Sequence, residues 1–387
     1  MTAVRSPDGL IAVRAAIGVA AAMTAPGSMA MAFRLFDDDA LRIRTTAVIS
    51  TVGLVGLAVG PTVGGLMLAI WPWQALLAVN VPVAVLAGIC IRLGIPADDT
   101  TELHREPLDL LGALLGTATI TLVLWTATLV VEDGWSSPTP YGTGVTAVAC
   151  AAAFVLRERR APHPMLDLEL LKRPLVTAGV TYQAAIGLAV AGLAYSVTLQ
   201  LQLVWGWPPA LAAIGNLPQV VTMIVAGPFV EKIVKKVGMN KAGPLGAAAV
   251  ITGLLVYALL GRYGYPWIAA TLVLSAAGMR LVMITAAVNV MRGLPPDQTS
   301  LGASLNDTSQ EVASSIGLAV VGTIVAAALT GTLADIGHSS ADAQAFENAV
   351  TTATLVLTAT CALLVAWAGR RTRHAAPAAP HRDTQSP

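Results

Sequence analysis

The sequence predicts an all-α, polytopic membrane protein, and three observations carry that reading. Of the 387 residues, 55% are hydrophobic and only 12% are charged, with a mean hydropathy of +0.71. Water-soluble domains carry roughly 25% charged residues. Eleven apolar runs approach or exceed the ~20 residues that a spanning helix needs. Lys and Arg fall into alternate connections. With the C-terminus placed in the cytoplasm, 19 of the 23 basic residues lie on the inner side; Arg5 and Arg262 lie outside, and Arg14 and Arg280 lie within spans. This is the positive-inside pattern. A net charge of +1 offers no electrostatic case for a nucleic-acid partner.

The expected spans are 10–33, 46–70, 73–93, 108–131, 140–156, 175–203, 209–230, 242–261, 265–291, 302–330 and 347–369. The first carries Arg14 near its outer end. The second ends just before Trp71 and Trp73, the outer aromatics from which the third turns back. The fourth and fifth flank Trp135 and close on Arg157, Arg159 and Arg160. The sixth leaves Lys172 and Arg173 and reaches Trp205, and the seventh returns from Trp207 to Lys232. Tryptophan at outer ends matches an interfacial aromatic belt. The last span runs into "RRTRHAAPAAPHRDTQSP", a polar tail expected to be disordered. Eleven is odd, so an inner C-terminus implies an outer N-terminus. The short segment before the first span holds no signal peptide, and an odd number of helices is expected upstream.

Chemistry-bearing motifs are few. Cys90, Cys150 and Cys361 lie in apolar runs without CxxC or Cys/His spacing, and the five histidines fall in connections or the tail. No metal site, cofactor or disulfide is therefore read. Walker A, nucleophile-elbow and HExxH patterns are absent, so the chain does not read as an enzyme.

The second span contains "GLAVGPTVGG". Gly56, Gly60 and Gly64 form a small-residue ridge, followed by Gly65, and Pro61 removes a backbone donor. Spacing alone is equally that of a plain packing seam. The stretch "SLNDTSQEVASS" places Asp307 and Glu311 four residues apart, on one face of a helix entering lipid. A charge at mid-bilayer costs about 2.5–3.5 kcal/mol on insertion scales, so such acids face water or a partner. They suit proton or cation exchange. The alternative is that this helix starts late and the acids are interfacial.

These motifs resemble the major facilitator superfamily, in its fourteen-helix drug–proton antiporter branch of quaternary-ammonium and multidrug pumps. "GLAVGPTVGG" resembles the antiporter motif of the family's fifth helix, and "LIAVRAAIGVAAAM" the fourth-helix motif. "WPWQALLAVNVPVAVLAG", "LDLLGALL", "LQLQLVWGWPPALAAIGNLP" and "GASLNDTSQEVASSIGLAVVGT" resemble later segments in family order. The resemblance implies family helices four to fourteen without the first three. Residues 1–107 would be the remainder of the N-terminal bundle, 108–174 an extra helix pair, 175–369 a C-terminal six-helix bundle and 370–387 the cytoplasmic tail.

It further implies proton-coupled efflux of a drug or lipophilic ion across the cytoplasmic membrane, among membrane lipids and by alternating access. Asp307, Glu311 and Arg14 would handle protons, although Arg14 also suits snorkelling to the interface. Glu231 and Lys232 stand where a cytoplasmic latch carries an Asp-Arg pair, or belong to an ordinary basic loop. Arg280, where the family has a small residue, together with Tyr182, Gln183 and Asn289, would line the substrate path. Arg280 opposes a cationic drug unless Glu311 or Glu231 neutralises it, which leaves a facilitator for an anionic solute open. A truncated, transport-inactive remnant or mis-started product is the other alternative.

Overall fold

The computed structural model describes residues 7–35, 38–95, 109–134, 136–161, 168–295, 299–328 and 340–374. Every regular element among them is helical. In chain order these are α1 (Pro7–Leu35), α2 (Asp39–Ile70), α3 (Gln74–Ala78), α4 (Asn80–Gly94), α5 (Leu110–Glu132), α6 (Thr139–Arg160) and α7 (Leu168–Lys172). Then come α8 (Pro174–Leu199), a π-helical turn (Gln200–Val204), α9 (Pro209–Gly215), α10 (Leu217–Val225) and α11 (Gly227–Val237). The chain continues through α12 (Met239–Leu260), α13 (Tyr265–Gly293), α14 (Thr299–Ala328) and α15 (Ser340–His374).

Proline places many of these starts. α6, α8, α9, α10, α11 and α13 each carry Pro in the first turn, where a missing N–H costs nothing. Pro209, Pro218 and Pro228 divide the expected 209–230 span into three pieces, and the chain bends by 53° between α10 and α11. Gly238, at φ +80°, ends α11 and opens α12 in a conformation that side chains disfavour.

Eight helical stretches among the described residues are long and apolar enough to span a membrane, and the bent 209–237 crossing makes a ninth. The two other expected spans, 10–33 and 46–70, lie in α1 and α2, where many side chains are outside the description. One boundary is corrected. The residues from 370 do not leave the last span as a disordered tail at once, because α15 continues to His374. Basic residues near a helix C-terminus are favoured by its dipole, so Arg370 and Arg371 extend the helix. The tail from 375 lies outside the described residues.

The core is built around α8. It packs on α13, α14 and α15, while α12 pairs with α13 and contacts α15. Tyr182, Ile186, Leu201, Leu254, Ile268, Leu272, Phe346 and Leu357 are all fully buried there. α5 and α6 form a hairpin that touches α14 through α5. At the foot of the hairpin, Asp109 accepts from the Gly112 backbone N–H at 3.0 Å and from Arg157 Nε at 3.0 Å, capping α5 and tying it to α6. α2 leans on α9 and α10, whereas α3 and α4 bury no residue among those described.

α8 and α14 cross at close range, as α12 and α13 do at Gly246 and Gly278. A Cβ at Gly317 would overlap the Leu188 carbonyl oxygen and lie 2.9 Å from its carbon. A Cβ at Gly187 would overlap the Gln310 carbonyl and lie 3.0 Å from Ser314 Oγ. Backbone thus meets backbone, as small residues permit between helices in lipid. Gly317→Val is expected to lower thermal stability in detergent by about 1–3 kcal/mol or more through overpacking. Gly56→Ala, whose added Cβ meets nothing within 4 Å, is expected to leave it unchanged or raised. Equal melting of Gly317→Val and the parent would refute the close crossing.

Candidate translocation site

A cavity of about 450 Å³ opens between α8, α10, α13 and α14. Its α8 wall runs from Gly187 to Thr198, and its α14 wall from Gln310 to Leu318. At 1.5 Å per residue, Glu311 lies about 10 Å into the apolar stretch Ser304–Ala328, about a third of the way along it. Most of the lining is apolar: Val190, Val220, Met223, Met279 and Leu318. Tyr195, Thr198, Asn216, Gln219, Gln310 and Ser314 add polar groups, and Glu311 is the one charged side chain in the described lining. Thr198 donates its hydroxyl to the Ala194 carbonyl, and Asn216 Nδ2 donates one of its two N–H groups to the Ala212 carbonyl. Asp307 is exposed one turn towards the start of α14, outside the lining.

The orientation of Glu311 is set by its neighbours. Ser309 Oγ donates to the Val180 carbonyl at 3.2 Å, and Gln183 Nε2 donates to Gln310 Oε1. Both contacts turn one face of α14 onto α8. Glu311, rotated about 100° from Gln310, then faces the cavity. Gln183 is only 1% exposed, and its Oε1 is buried without a hydrogen-bond partner among the described residues, as is Asn306 Oδ1.

The other expected site residues are dispersed. Gln183 reaches the cavity wall only through Gln310. Tyr182 is buried in the core, with Gly369 on α15 and Gly243 on α12 beside it, and does not line the cavity. Asn289 is half-buried on α13, also outside the lining. Arg280 is half-buried next to Met279. Its Nη2 is 3.2 Å from where Gly227 would carry a Cβ, and its Nε has no hydrogen-bond partner among the described residues. It makes no ion pair with Glu311, and the side chain of Glu231 lies outside the description. Lys232 is exposed on α11, and Arg14 is exposed on α1, away from the cavity.

The expected glycine ridge makes its close contact only at one end. Cβ atoms at Gly56 and Gly60 would meet nothing within 4 Å, and one at Gly64 would lie 3.9 Å from Leu76. At Gly65 a Cβ would overlap that of Ala213 and lie 3.1 Å from the Pro209 carbonyl. The Thr62 hydroxyl is 3.5 Å from the Ala213 carbonyl. The side chain of Pro61 lies outside the description. α9 is seven residues long, and its Pro209 and Ala213 face Gly65 near the end of α2.

Asn216 and Gln219 were not among the residues singled out from sequence. Two amides three apart in "GNLPQ", within an apolar run, are the signal that could have found them. Gln200 donates to the Gly261 carbonyl at 3.1 Å and anchors the π-helical turn.

A bundle of apolar helices around a mid-span cavity with one carboxylate has the build of a membrane carrier. The chain belongs to the Major Facilitator Superfamily, whose profile matches residues 1–318. It is 26% identical over 324 residues to the multidrug resistance protein Stp of Mycobacterium tuberculosis, covering 84% of this chain and 60% of that protein. Identity to the multidrug efflux pump LfrA of Mycolicibacterium smegmatis is also 26%, over 83% of this chain and 64% of the pump. The cephamycin export protein CmcT of Amycolatopsis lactamdurans is 28% identical over 87% of this chain and 70% of its own length. The chain thus spans under two thirds of the length of Stp and LfrA. A crystal structure of the peptide transporter POT superposes with a TM-score of 0.52 at 17% identity, covering 87% of this chain and 69% of that one, a likeness of fold.

The Gln183–Gln310 contact has a direct test. Gln183→Leu and Gln310→Leu should each destabilise the protein by about 1–3 kcal/mol, since each leaves a buried amide unpaired. The double variant should lose less than the sum. Strict additivity in thermal unfolding would show that the two amides are not coupled.

Proposed function

We propose that the protein exports a drug-like small molecule across the cytoplasmic membrane in exchange for protons, by alternating access, with its C-terminus in the cytoplasm. The observation that carries this reading is Glu311, a carboxylate facing an otherwise uncharged mid-span cavity. Relatives named as multidrug efflux and export proteins support the substrate class. The inner C-terminus follows from the Lys and Arg distribution.

In this mechanism an ionised Glu311 accepts the substrate from the inner side. After the bundle opens outward, a proton taken up by Glu311 releases the substrate and neutralises the site for return. Asp307, one turn nearer the inner end, hands protons between Glu311 and the cytoplasm. The part of Arg14 in that relay rests on resemblance alone, as does a latch at Glu231 and Lys232. The Gly56–Gly65 segment governs contact between the bundles, with Gly65 against α9.

A facilitator for an anionic solute draws on the Nε of Arg280, which has no hydrogen-bond partner among the described residues. We rank it second, because Arg280 lies outside the lining while the charge facing the cavity is that of Glu311.

Proteoliposomes or cells holding this chain, loaded with a cationic dye and given a pH gradient, provide the test. Glu311→Gln should cut gradient-driven efflux roughly tenfold or more while dye binding persists. Undiminished gradient-driven efflux in Glu311→Gln would rule out the proton role. Transport of organic anions in place of dye would favour the second reading, and no transport of either would leave the chain an inactive remnant.

A further inference from the structure

The mechanism leaves unused a groove of about 660 Å³ on the outer face of the bundle. It is lined by Thr181 of α8 and by Leu363, Leu364, Ala366, Trp367 and Arg370 of α15. Leu363 and Trp367 are 72% and 40% exposed, so the slot is open and apolar along its length. Its chemistry changes at one end. Arg370 forms part of the wall, and Arg371 stacks its guanidinium on the Trp367 ring at 5.0 Å. Neither arginine makes a hydrogen bond or ion pair with a described residue. The basic residues at the foot of α8 are already engaged: Lys172 with Glu169, and Arg173 with the Gly293 carbonyl. No acidic side chain lines the groove.

We propose that this groove is a binding site for one anionic phospholipid. Its phosphate lies between Arg370 and Arg371, and an acyl chain lies along Leu364, Leu363 and Thr181. The dimensions fit. From Leu363 to Arg370 α15 rises about 10 Å, the depth over which a lipid passes from head group to hydrocarbon. Trp367, apolar in body and polar at its N–H, sits at that junction as interfacial tryptophans do. A guanidinium pair offers forked donors to phosphate oxygens, which a zwitterionic head group would match with a repelled ammonium. Basic pockets between spanning helices bind anionic head groups on the same grounds. The proposal does not depend on proton coupling or on the exported substrate.

The test is native mass spectrometry of the purified full chain, in detergent, with phosphatidylglycerol or phosphatidylcholine of identical chains added. The parent should retain phosphatidylglycerol roughly thirtyfold better, given about 1 kcal/mol for each of the two arginines near the head group. Arg370→Gln/Arg371→Gln should reduce that preference to parity, and Arg370→Lys/Arg371→Lys should keep most of it. Lys235→Gln, which removes an exposed charge elsewhere, should leave it intact. Equal retention of both lipids by the parent would overturn the proposal. So would an unchanged preference in the double glutamine variant, or displacement by millimolar inorganic phosphate, which would mark a free-anion site.

Discussion

The backbone-to-backbone crossing of α8 and α14 is the contact on which the cavity depends. In lipid, apolar helices gain nothing by hiding from water, so association rests on close packing and interhelical hydrogen bonds. Gly187 and Gly317 let each helix press against a carbonyl of the other. The Ser309 and Gln183 contacts then fix the rotation of α14 about its axis. A turn of α14 by one residue would move Glu311 about 100° and take it out of the cavity. The position of the carboxylate is thus a consequence of where glycine and amide side chains fall on its neighbours.

The same contacts place buried polar groups beside the carboxylate without neutralising it. Gln183 Oε1 and Asn306 Oδ1 are acceptors with no described donor, and neither carries charge. Unpaired buried acceptors cost free energy, so each calls for a partner beyond the described side chains, such as an ordered water.

Much of the helical organisation was legible in sequence because lipid imposes a coarse, one-dimensional code of apolar length and basic flanks. Glu311 stood out for the same reason: a carboxylate that deep in an apolar run has few places to go. What the code does not hold is azimuth. Whether Tyr182 or Tyr195 faces the cavity depends on helix rotation, and only Tyr195 does. Asn216 and Gln219 lay hidden because the 209–230 run reads as one span, while its prolines break it into three helices whose facing differs. The glycine ridge showed which helix could be approached closely, but among the described residues the tight contact falls at Gly65, against α9, and not at Gly56 or Gly60.

Arg280 shows how a half-buried cation can coexist with a carboxylate unpaired among the described residues in one small bundle. Met279 faces the cavity, and the next residue is turned about 100° away from it, towards the bend between α10 and α11. Pro228 has no N–H, so the Ile224 carbonyl lacks its usual helical donor, and the last carbonyls of α10 form the negative end of that helix. A guanidinium beside the bend therefore meets partial negative charge from backbone, which does not titrate. Stabilised in that way, Arg280 need not take its counter-charge from Glu311. The break in the helix and the unpaired Glu311 thus fit together: the fixed charge faces the backbone of the α10–α11 bend, and the cavity keeps its single described carboxylate.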